Sequence, residues 1–150
     1  MTEMRVCTIG SSGKSAEEFF GVLGDHGVER VIDVRLSNRS QLAGFTKSTD
    51  LPFFLRTILR IDYLHAAELA PTQELLNGYK GGQVPWEDYE VMYRDILTGR
   101  QVESVLAPSL FANACLLCSE ATADRCHRRL AGEYLQRAWA TRAPLTLVHL

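Results

Sequence analysis

Ala114-Cys115-Leu116-Leu117-Cys118-Ser119-Glu120, followed by Ala121-Thr122-Ala123-Asp124-Arg125-Cys126-His127-Arg128-Arg129, is the stretch whose reading decides the fold. Its first half is a short apolar run, the signature of a strand buried on both faces. Its second half opens a helix, because Leu130, Tyr134, Leu135 and Ala138 recur on one apolar stripe. Between the two lie Cys118, Glu120, Cys126, His127 and three arginines. A loop that leaves a strand and enters a helix N-terminus is where α/β proteins hold ligands, since free backbone N–H groups and the helix dipole favour anions there.

The same alternation extends outward in both directions. Residues 5–9 (Arg-Val-Cys-Thr-Ile) read as a strand, and Ser15 with Glu18 as a capping box for a helix carrying Phe19, Phe20, Val22 and Leu23. Residues 30–35 (Arg-Val-Ile-Asp-Val-Arg) read as a second strand, and the polar run over residues 37–41 as a flap. Asp50 is placed to cap a helix with Pro52 in its first turn and Phe53, Phe54, Leu55, Ile58 and Leu59 inward. Residues 61–65 form a third strand. The glycine-rich stretch between Ala70 and Val84 reads as irregular, with residues 78–82 as its mobile part. Pro85 starts a helix with Trp86, Tyr89, Tyr93 and Ile96 on one face. A shorter helix carries Val102, Val105 and Leu106, and residues 146–150 close the chain as a fifth strand.

Strands alternating with helices predict an α/β fold: a single domain over residues 1–150, with a mostly parallel, doubly wound sheet of about five strands and helices on both faces. With 150 residues, 46% hydrophobic, the chain can bury one core and not two. The net charge of −2 does not indicate a nucleic-acid partner, although Arg125, Arg128 and Arg129 form a local basic cluster. Cys7 followed by three clustered cysteines is no disulfide framework, and no stretch has the length of a membrane span. The expectation is a cytoplasmic protein without a membrane partner; its oligomeric state is left open.

In a parallel sheet all strand C-termini share one edge. That edge collects Gly10-Ser11-Ser12, Asp33 with Arg35, His65 with Glu68, and Cys118 with Glu120. Residues at i and i+2 share a strand face, so each of the pairs Asp33/Arg35 and Cys118/Glu120 points together. The turn Gly10-Ser11-Ser12-Gly13-Lys14-Ser15 resembles a P-loop but has two residues between its glycines where the motif needs four. Its N–H groups remain candidates for holding a single anion.

Cys115, Cys118, Cys126 and His127 are zinc-ligand types, yet Cys115 and Cys118 face opposite sides of a strand and adjacent Cys126 and His127 diverge by about 100° on a helix. No metal and no cofactor are expected. Cys126 sits beside His127 and three arginines near a helix N-terminus, surroundings that activate a thiol; it also lies four residues before Leu130, where a cysteine simply packs. His127 is placed either as a half-buried packing residue or as an acid–base oriented by Glu120 or Asp33.

These segments together resemble the domain-of-unknown-function 488 family. The resemblance is carried by Thr8-Ile9-Gly10-Ser11-Ser12, Asp33-Val34-Arg35, then Arg39, Ser40 and Phe45, then Tyr63 and His65, then Leu117-Cys118-Ser119-Glu120 with Cys126-His127-Arg128, and His149. Ser11 stands where the family usually has a bulkier residue, and Leu69-Ala70-Pro71 where it has a Leu-Gly-Gly-like turn. The resemblance implies the fold and the site but no reaction.

From the residues, the expected function is a metal-free enzyme, hydrolase or transferase, acting on a phosphorylated or nucleotide-like anion at the strand C-terminal rim. His127, Glu120, Asp33 and Cys126 are its candidate catalytic groups. Ser11, Ser12, Arg35, Arg39 and Arg128 are its candidate substrate-binding groups. A binding or sensor module for an anionic ligand or nucleic acid, or a zinc-stabilised interaction domain, are the alternatives.

Overall fold

The computed structural model describes residues 3–37 and 44–150. Five parallel strands form one sheet: β1 (Met4–Gly10), β2 (Arg30–Asp33), β3 (Asp62–His65), β4 (Ala114–Cys118) and β5 (Leu145–His149), in the order β3-β2-β4-β1-β5. The central strand β4 is buried at every residue, as its unbroken apolar run requires.

Helices cover both faces. On one face, α1 (Ala16–Asp25) packs Phe19, Phe20 and Leu23 against Ile9, Val31, Cys115 and Leu117. Its N-terminus is the capping box read from the sequence: the Glu18 amide donates to Ser15 Oγ at 3.1 Å, and the Ser15 amide reaches Glu18 Oε1 at 3.5 Å. α2 (Leu51–Phe54) lies on the same face and continues as a wider π-type turn, Leu55–Leu59. On the other face, α3 (Gln73–Lys80), α4 (Trp86–Arg100), the short α5 (Val102–Val105) and α6 (His127–Ala138) cover Ile32, Val34, Leu116 and Cys118. Cys115 and Cys118 therefore belong to opposite cores, as strand alternation demands.

Some expectations are corrected. The segment read as irregular contains α3, capped by Thr72, whose hydroxyl accepts the Leu75 amide at 3.1 Å; Gly78 and Lys80 lie on this helix. Asp50 occupies the N-cap position of α2 with a helical backbone and makes no side-chain cap bond. Phe53 and Ile58 are more than half exposed rather than inward. The π-type turn explains Ile58, because the extra residue per turn rotates the apolar stripe off the core. The flap lies outside the described residues from position 38 to 41. No described helix is long and apolar enough to cross a membrane.

The winding fixes where a site can form. The connection after β1 passes over one face through α1, and the connection after the neighbouring β4 passes over the other through α6. The chain thus separates above the C-terminal ends of β1 and β4, the switch point at which open α/β sheets bind ligands.

Candidate functional site

Cys118 ends β4, and residues 119–125 then loop out before α6 begins. Cys126 is the N-cap of α6, with extended backbone angles of φ −135° and ψ 138°, and His127 is its first helical residue. Because Cys126 precedes the helix, the divergence expected on a helical wheel does not apply. The Cys118 and Cys126 sulfurs and a His127 ring nitrogen lie within 4.8 Å of one another, all buried. Cys118 Sγ is 3.7 Å from His127 Nδ1. His127 Nε2 is 2.8 Å from the Val34 carbonyl oxygen, which can only accept, so Nε2 carries a proton and donates it.

This setting polarises the pair. The Cys126 thiol donating to Cys118 holds Cys118 well below the ordinary thiol range; burial opposes this, while His127 and the Glu120 backbone amide add to it. Cys126 is pushed far up for the complementary reason, as it donates to Cys118 and is itself buried. Burial lowers the His127 ring, but the Cys118 charge and contact and the Val34 carbonyl outweigh it, and the net direction is upward. Both shifts favour the charged forms, an anion at Cys118 and a cation at His127. The N-terminus of α6 points at the same sulfurs and favours the anion.

Arg128 is fully buried behind the cysteines. Its Nη1 donates to the Glu120 carbonyl at 2.6 Å and to Cys126 Sγ at 3.6 Å, and its Nε to Thr8 Oγ1 at 3.3 Å. Nη2 is buried with no hydrogen-bond partner among the described residues. No ion pair joins Arg128 to a carboxylate among the described residues. Gly10 makes this approach possible: a Cβ there would overlap the Glu120 carbonyl and stand 2.9 Å from Arg128 Nη1.

Asp33 and Arg35 form a closed unit beside the cluster. Arg35 Nε and Nη2 donate to the two Asp33 carboxylate oxygens at 2.8 and 2.7 Å, and Nη1 and Nη2 donate to the Thr46 hydroxyl and carbonyl at 3.2 and 2.7 Å. Tyr63 donates to Asp33 at 2.6 Å. Neither Asp33 nor Glu120 is bonded to the His127 ring, which the Val34 carbonyl orients instead.

A cleft of about 300 Å³ opens over this centre. Its floor is Cys118, Cys126 and His127, with the edge of Arg35; Tyr79, Trp86 and Tyr89 form one wall, and Ser12, Lys80, Glu120 and Arg125 stand exposed around it. The three floor donors are zinc types, but Cys118 Sγ lies 3.7 Å from Nδ1 and 4.0 Å from Nε2, beside the ring rather than along a nitrogen lone pair. The donors do not converge on a common centre as a tetrahedral site requires.

The family model described as "Domain of unknown function DUF488" matches residues 15–135. The chain belongs to the DUF488 family. No curated protein and no solved structure matches it.

Within this DUF488 chain, the structure brings Ser12, Arg35, Glu120, Cys126 and His127 to one cleft. Ser11 is buried outside the cleft wall; its amide donates to the Cys118 carbonyl, and that of Ser12 to the Ser119 carbonyl. Those two N–H groups extend the β1–β4 ladder and are not open to an anion, contrary to the expectation for this turn. Arg128 supports the cysteines from behind rather than lining the cleft. Arg39 lies outside the described residues. Cys118 was not among the expected catalytic groups, although its i, i+2 spacing to Glu120 already pointed it at the rim. Tyr89, Lys80 and Arg125 were missed as cleft residues; Lys80 was hidden because Gly78, Gly81 and Gly82 around it read as a loop rather than as the end of a helix.

Proposed function

We propose that this chain is an enzyme acting on an anionic, phosphorylated or nucleotide-like small molecule, with the Cys118 thiolate as nucleophile and His127 as its acid–base partner. The observation that carries the reading is one of charge. Arg128 is fully buried against Cys126 Sγ, next to Cys118, and no carboxylate among the described residues pairs with it. A buried cation without a counter-charge is costly, and a thiolate at Cys118 supplies that charge.

The chemistry follows from the positions. The thiolate attacks an electrophilic centre and forms a covalent thio-intermediate, while His127 gives its proton to the departing group. Water, or a second acceptor, then displaces the sulfur and returns a proton to His127, which makes the enzyme a hydrolase or a transferase. Arg35 is less suited to the anion than expected, because Asp33 already neutralises it; Lys80 and Arg125 line the cleft and pair with no carboxylate among the described residues.

The test is a turnover screen of phosphorylated metabolites and nucleotides on wild type, Cys118→Ser and His127→Ala, with metal content measured on the same preparations. Turnover that falls about a thousandfold or more in both variants supports the reading. Binding without turnover in any preparation favours a ligand-binding module. Stoichiometric zinc, with a fall in Tm on chelation, replaces it with the metal-stabilised alternative.

A further inference from the structure

One wall of the cleft is not used by the thiol chemistry. Trp86 opens α4, Tyr89 comes one turn later, and Tyr79 stands near the end of α3. Their ring centroids are 5.0–5.5 Å apart. The Trp86 and Tyr89 rings are nearly parallel at 15°, Tyr89 stacks on Tyr93 at 14°, and Tyr93 meets the His127 ring edge-on at 5.7 Å. Tyr79, Trp86 and Tyr89 thus line the cleft, and the fully buried Tyr93 behind them carries the stack on to His127.

Tyr89 carries a second, independent signal. It is only 2% exposed and lines the cleft, yet its hydroxyl makes no hydrogen bond to any described residue. The neighbouring Tyr93 hydroxyl, by contrast, donates to the Leu69 carbonyl at 2.6 Å. The ring is buried but its hydroxyl is not among the buried unpartnered atoms of the described residues, so it opens on the cleft and is free to donate to a molecule held there. Burial and the two nearby cysteine sulfurs push the Tyr89 phenol up, so it stays a donor.

The cations are distributed unevenly. Arg128 is sealed behind the cysteines and Arg35 is paired, whereas Lys80 and Arg125 are exposed at the cleft. A phosphate finds its partners there rather than beside Cys118. The aromatic face suits a flat ring, whose stacking is worth about 1–3 kcal/mol per base.

We propose that the substrate is a nucleoside monophosphate whose base lies against Tyr79, Trp86 and Tyr89 and accepts the Tyr89 hydroxyl proton, with its phosphate held at the mouth by Lys80 and Arg125. This rests on the reading of the cleft as the thiolate active site and refines it: the phosphate is a handle, and the reacting centre belongs to the base or sugar end.

Calorimetry on Cys118→Ser, which binds without reacting, tests this with adenosine and cytidine monophosphates, the matching nucleosides, ribose 5-phosphate and inorganic phosphate. At least one nucleotide is expected to bind about tenfold or more tighter than ribose 5-phosphate. Tyr89→Phe weakens that nucleotide about fivefold. The Lys80→Ala/Arg125→Ala double variant brings the nucleotide down to the affinity of its nucleoside and leaves the nucleoside unchanged. Equal binding of ribose 5-phosphate and nucleotide, or no nucleotide binding, overturns the inference. Wild-type Cys118 thiolate is measured in parallel: a thiolate without nucleotide binding sinks this inference alone, and nucleotide binding without a thiolate sinks the reading beneath it.

Discussion

Cys118 Sγ lies 3.7 Å from Nδ1 of His127, while the other ring nitrogen of His127 donates to the Val34 carbonyl at 2.8 Å. Three elements meet in this contact: the end of β4, the start of α6 and the residue after β2. The Val34 carbonyl fixes the orientation of the ring, and Cys118 Sγ sits alongside it, 3.7 Å from Nδ1 and 4.0 Å from Nε2.

The first prediction concerns the charge of His127. Burial is the largest influence on it and acts downward; the Cys118 thiolate reverses the direction. In wild type the imidazolium therefore persists above the ordinary histidine value of 6.5, and the stability it contributes is present below that pH and lost as pH rises through the raised pKa. In Cys118→Ser burial should win and the titration should move below 6.5. Nitrogen-15 NMR of labelled histidines reads both. An unchanged His127 titration in the variant contradicts the pairing.

Gly10 gives a packing test. Gly10→Ala places a methyl group on the Glu120 carbonyl and against Arg128, and the backbone cannot yield without breaking the β1–β4 ladder. The expected loss is about 2–4 kcal/mol in urea unfolding, comparable to overpacking or breaking a buried network. A loss no larger than that of Gly21→Ala, where a Cβ meets nothing, would show that the loop after β4 is not held as described.

Asp33 separates structure from catalysis. Its carboxylate faces Arg35 and Tyr63, not His127. Asp33→Asn leaves the buried Arg35 without its counter-charge and should cost about 3–5 kcal/mol. The His127 titration should stay where it is in wild type. A large shift of His127 with little change in stability would restore Asp33 as its orienting group.

The fold was legible because a strand buried on both faces leaves an apolar run that needs no phase, and β1, β2 and β4 carry such runs. The rim was legible for the same reason: Asp33, Arg35, Cys118 and Glu120 sit at the ends of those runs or just beyond them. Phase-dependent details were not. The turn at Leu55–Leu59 rotates Ile58 outward, and α3 was masked by Gly78 and by polar Gln73, Glu74 and Asn77 around its single buried Leu75. The cysteine cluster was misjudged by one residue: with Cys126 as N-cap rather than on the wheel, its sulfur turns back to Cys118. The Arg128 guanidinium without a carboxylate partner among the described residues was invisible, because a missing partner is a property of the packed structure only.

The most direct measurement is the ultraviolet absorbance of thiolate across a pH titration, taken as the difference between wild type and Cys118→Ser. The account predicts one thiolate already present at neutral pH, lost only well below the ordinary thiol value of 9.0, and moved back toward that value by His127→Gln. A difference signal that rises only around 9.0, unaffected by His127→Gln, would contradict it.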